Sequence, residues 1–135
     1  MSYDRTVRVH TDFAATVATV REALAAQGFG VLTEIDVTAT LRAKLGEEME
    51  DYLILGACNP PLAHRALGVD RSIGLLLPCN VVVRRDGDGT LVQAIDPATM
   101  VTFTGLDALR PVADEAATRL DAALAAVVEA AGDAQ

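Results

Sequence analysis

Residues 75–95, LLLPCNVVVRRDGDGTLVQAI, decide the fold class. Two apolar runs flank Asp86-Gly87-Asp88-Gly89, and glycine and aspartate are the residues that tolerate the positive φ of a tight hairpin turn. Strands joined by so short a turn run antiparallel, because a parallel pair needs a much longer crossover. The first run predicts a strand over residues 75–84, broken early by Pro78. The second predicts its partner over residues 91–95, ended by Asp96-Pro97, where Asp96 reads as a turn residue.

Upstream, residues 52–58 (YLILGAC) form a short continuous apolar run, the pattern of a buried strand. Asn59-Pro60-Pro61 stops it. Proline suits the first turn of a helix and Asn59 suits its cap, so a short helix follows through Ala63, Ala66 and Leu67, ended by Gly68. Residues 29–35 (FGVLTEI) predict another strand. Asp36 or Thr38 then caps a short helix over residues 41–45, closed by Gly46, and the acidic residues 47–51 read as a solvated loop.

Residues 5–9 (RTVRV) alternate as a first strand. Thr11 or Asp12 caps a helix whose apolar face is Phe13, Val17, Val20 and Leu24, with Gly28 just beyond its end. Downstream, Asp107 caps a last helix from Ala108 to about Ala130. Its face carries Val112, Ala116, Leu120, Leu124 and Val127 or Val128. Its exposed alanines suggest a second packing surface, such as a subunit contact, and residues 132–135 are expected to fray.

The order is β-α-β-(short α)-β-(short α)-β-β-α. Long helices follow only the first and last strands, which makes the chain α+β with a mostly antiparallel sheet and not a doubly wound one. Both long helices should pack on one face. Leu53, Leu55, Val81 and Val83, or their neighbours of opposite parity, should meet them, because strand side chains alternate. At 135 residues the chain is one domain, residues 1–135.

Composition excludes several functions. Nineteen acidic against eleven basic residues give a net charge of −8, so this acidic protein lacks the positive charge that draws nucleic acid and anionic membranes. The most apolar stretch, residues 73–83, is far shorter than the ~20 residues of a membrane helix. The first ten residues, MSYDRTVRVH, have no apolar core of a signal peptide, which points to the cytoplasm. Two cysteines do not make a disulfide scaffold, and in a reducing compartment both thiols should be free.

Gly56-Ala57-Cys58-Asn59-Pro60-Pro61-Leu62-Ala63 resembles the DUF302 domain family, small and mostly prokaryotic proteins of uncharacterised function. Residues 29–45 (FGVLTEIDVTATLRAKL), residues 73–83 (IGLLLPCNVVV) and Ile95-Asp96-Pro97 carry the same resemblance, which covers a core of about residues 6–128. It implies a β-α-β(4)-α sandwich similar in topology to one repeat of the TATA-box-binding protein. It also implies a homodimer, since some members dimerise. It brings no established activity, and fold alone does not import DNA binding.

The candidate chemistry centres on Cys58 and Cys79, each followed directly by asparagine. If their strands pair, the thiols lie close, which suits a soft-metal site, a redox dithiol or a nucleophile. Free cysteines are also ordinary small core residues. Asn59 and Asn80 are candidate ligand-binding amides; Asn59 has its capping role as the alternative, and Asn80 needs a hydrogen-bond partner if buried. His64, six residues beyond Cys58, is a candidate third metal ligand or a base. Glu34 stands out in an apolar strand and should have a specific partner, with Lys44 the candidate cation or anion binder. No phosphate loop, GxGxxG, HExxH or GxSxG is present, so any cofactor and any enzymatic activity stay open.

The reading that needs fewest special groups is a module that binds or senses a small ligand or soft metal near the two Cys-Asn pairs. The alternatives are a thiol enzyme using Cys58 or Cys79, and a structural protein whose activity is dimerisation.

Overall fold

The turn Gly87-Asp88 joins β4 (Cys79–Asp86) to β5 (Gly89–Ile95), with Asp86 opposite Gly89. Gly87, at φ +60, takes the first central position, the place where a type II′ hairpin turn requires glycine. The structure is a computed structural model, and it describes residues 2–132. The expected fraying of residues 133–135 lies outside the described residues.

β1 (Asp4–Val9) pairs with the far side of β5, and β3 (Tyr52–Cys58) and β2 (Gly30–Asp36) extend the sheet beyond β4. The strand order is β1-β5-β4-β3-β2, and every pairing is antiparallel. α1 (Phe13–Ala26) follows β1, capped by Asp12, whose carboxylate accepts from the Ala15 N–H. α2 (Val37–Leu45) is capped in the same way by Asp36, through the Ala39 N–H. α3 (Pro60–Val69) follows β3, α4 (Ala98–Thr104) follows β5, and α5 (Arg110–Ala131) closes the chain.

Register explains where the core sits. Leu53 lies opposite Val83 and Leu55 opposite Val81, so these four share one face of the sheet. They are buried with Val20 and Leu24 of α1 and with Leu120 and Leu124 of α5, so the two long helices cover one face, as expected. Each such large side chain taken from water contributes about 1.5–3 kcal/mol. The first half of α5 serves a second cluster: Val112 and Ala116 pack with Leu62 and Ala66 of α3 and Met100 of α4. Both Val127 and Val128 are buried.

Several local expectations are corrected. Residues 75–77 are not strand. Arg71–Leu76 forms a 3-10 helix whose start is held by the Asp70 carboxylate accepting from the Ser72 N–H, and β4 begins only after Pro78. Proline cannot donate into a sheet ladder, so the strand starts one residue later. Gly68 does not end α3, which runs on to Val69. Asp107 does not cap α5: it opens a 3-10 turn, Asp107–Leu109, and no side chain caps the helix behind it.

Candidate functional site

The register that aligns the core also brings the two Cys-Asn pairs together. β3 ends beside the start of β4, with Ala57 opposite Cys79 and Gly56 opposite Asn80. Cys58 and Cys79 are both free thiols, and both line one small cavity of about 30 Å³. Leu62, Ala66 and Val112 complete an apolar wall. Such a space is large enough for about one water but offers it few polar partners. Burial, and then the nearness of Cys58, push the Cys79 thiol up to about 11. A thiol held neutral is a weak nucleophile and a poor metal ligand at neutral pH.

The two asparagines have different surroundings. Asn59 is buried: its side-chain oxygen accepts from the Leu62 N–H at 3.3 Å and its amide nitrogen donates to the Gln27 carbonyl at 3.4 Å. It caps α3 and ties that helix to the end of α1, which is the structural role legible in Asn59-Pro60-Pro61. Asn80 is exposed and lines a larger, open cleft of about 460 Å³. The start of β4, the end of β5, the segment before Pro78, Tyr3 and α4 build this cleft. Leu77, Pro78, Cys79 and Met100 wall both spaces, so Cys79 sits in the partition between them.

Glu34, Lys44 and His64 do not join the cysteines. Glu34 lies opposite Leu55 in register, on the helix-covered face, where it reaches the rim and forms an ion pair with Arg21 of α1. Its partner is therefore Arg21 and not Lys44, which stands exposed in the last turn of α2. His64 is exposed on α3 and is not part of the wall around Cys58 and Cys79. Among the described residues no group of three or more His, Cys, Asp or Glu could hold a metal ion.

The aromatic wall of the cleft was not legible beforehand. Tyr3 is 70% exposed, Phe103 79% and Leu75 88%. Large apolar side chains left this open, and gathered at one place, are the kind of surface that marks a binding site. Phe103 and Met100 sit on α4, a short helix with β-branched Thr99, Val101, Thr102 and Thr104, so the segment carries little helical signal.

Fold and site together define a small α+β protein with one helix-covered sheet face and an open, largely apolar cleft at the end of the β4–β5 pair away from its turn. Residues 5–127 match the family described as domain of unknown function DUF302, and the chain belongs to that family. The crystal structure of an uncharacterized conserved DUF302 protein from Bacillus stearothermophilus is similar, with a TM-score of 0.89 and 31% identity over 94% of this chain and 99% of that one. Among curated proteins none matches this chain. No helix among the described residues is long and apolar enough to cross a membrane.

Proposed function

We propose that this protein is a cytoplasmic small-molecule binding module whose site is the cleft at Cys79 and Asn80. The observation that carries the reading is the cleft itself: about 460 Å³, apolar walls and an exposed side-chain amide near the start of the central strand β4. Ligand sites typically have this size and this mixture of apolar surface with few polar groups. A thiol enzyme and a soft-metal site have less support, because Cys79 is held neutral and His64 stands apart.

The reading includes a homodimer. Ile35, Ile54 and Val82 align in register on the sheet face away from α1 and α5, and Leu32 is 68% exposed on the same strand as Ile35. An apolar row on an uncovered sheet face favours a second copy over bulk water.

Native mass spectrometry of the purified protein tests both parts. The expected spectrum is a dimer carrying a small organic molecule, with that mass lost from a folded Asn80→Trp variant whose indole fills the cleft. A monomer overturns the dimer. Bare protein that also gives no cleft shifts with neutral fragments in NMR titrations overturns the binding site.

A further inference from the structure

We propose that the cleft selects an uncharged, largely apolar molecule bearing a carbonyl or carboxamide group, which the Asn80 side chain recognises. The inference rests on the cleft being a ligand site and adds the chemical class of its ligand.

Charge decides the first half. The chain carries −8, yet among the described residues the wall contains no Asp, Glu, Lys, Arg or His. The adjacent carboxylate, Asp96, is already committed: it accepts from the Ala98 N–H at 2.9 Å and lies 3.5 Å from the Arg5 guanidinium. An anionic head group would meet no cation here, and an ammonium would meet no free carboxylate. Stripping water from either charge without a partner is unfavourable, whereas a neutral polar group needs only a hydrogen bond. Besides the Tyr3 phenol, the titratable side chain of the wall is Cys79, which stays a neutral thiol at neutral pH.

Hydrogen bonding decides the second half. The Thr99 hydroxyl is spent on the Asp96 carbonyl at 2.7 Å. None of the hydrogen bonds among the described residues uses the Asn80 side chain, which therefore presents an acceptor oxygen and a two-proton donor. A carboxamide complements both halves of that group and a carbonyl complements the donor. The exposed faces of Tyr3, Phe103 and Leu75 supply the apolar part, since covering them releases water.

Three probes that share one tail and differ only in the head group separate the outcomes: octanamide, octanoate and octylamine, titrated into the ¹⁵N-labelled full chain at pH 7. The expected result is that octanamide shifts the Asn80 side-chain NH₂ resonances and binds at least tenfold more tightly than either charged probe. Asn80→Leu, which keeps the fold and the apolar wall, should bring the three affinities within threefold of one another. Tight octanoate or octylamine binding overturns the neutral class while leaving the cleft as a site. Equal binding of all three to the unaltered chain overturns recognition by Asn80. Failure of every probe to shift any cleft residue overturns both this proposal and the site reading beneath it.

Discussion

Thr33 lies so closely across Gly56 that a Cβ placed on the glycine would stand 2.1 Å from the Thr33 hydroxyl oxygen and 2.9 Å from Cγ of Pro78. Glycine is required there because the space above β3 is already filled by a neighbouring strand and by the proline that walls the cleft. Gly56→Ala should therefore cost about 1–3 kcal/mol, as overpacking does. Thr33→Ala in the same chain should recover only part of that loss, because the proline ring cannot rotate away. Urea unfolding of the single and double variants checks it, and full recovery would show that Pro78 yields.

Cys79 should make the fold sensitive to alkali. Its folded value of about 11 lies above the ordinary thiol value of 9.0. Above pH 9 the unfolded chain releases a proton that the folded chain retains, so stability is intact below pH 9 and falls as pH rises toward 11. Two units correspond to at most roughly 2.7 kcal/mol. Unfolding curves from pH 8 to 11 should show this decline in the unaltered protein and a shallower one in Cys79→Ala. Parallel curves for the two proteins would rule it out.

Asn59 and Asn80 should separate cleanly. Asn59→Ala removes the α3 cap and the bond to Gln27 and should cost about 1–2 kcal/mol while leaving probe affinity alone. Asn80→Ala should leave stability within about 0.5 kcal/mol, as surface substitutions do, and weaken octanamide binding. Thermal melts and NMR titrations of both variants decide it; the reverse assignment would overturn recognition by Asn80.

The Arg21–Glu34 ion pair should matter little. Both side chains are well exposed, at 39% and 50%, and pairs in that setting contribute about 0.2–1 kcal/mol. A double-mutant cycle with Arg21→Ala and Glu34→Ala at 0.05 and 0.5 M salt should give a coupling in that range that shrinks with salt. A coupling several times larger would give Glu34 the special role its place in an apolar strand suggests.

The sheet was legible because its signals are local. Asp86-Gly87-Asp88-Gly89 names its own turn, the apolar runs on either side name their own strands, and Asp12, Asp36 and Asn59 cap the helices immediately behind them. The core rows followed from the two-residue period of a strand, so Leu53, Leu55, Val81 and Val83 could be placed together without coordinates. The segments around the cleft carry no such period. Residues 75–77 are as apolar as a strand, and only the packing of Ile73 and the stop at Pro78 turn them aside. α4 is short and β-branched, and it is helical because Met100 and Val101 are buried against the rest of the fold.

By itself, then, the amino-acid order determined an antiparallel α+β domain, the Asn59 cap of α3 and the alternating strand rows of which one meets the long helices, because those depend on neighbours a few residues apart. Only the tertiary structure decided that the two Cys-Asn pairs divide: Cys58 and buried Asn59 facing the small cavity, Cys79 in the partition, Asn80 in the open cleft. It alone matched Glu34 with Arg21, left His64 apart from the thiols, and gathered Tyr3, Leu75 and Phe103 from distant parts of the chain into one wall. Those relations join parts of the chain far apart in sequence, a long-range packing outcome for which no short stretch of sequence holds a signal.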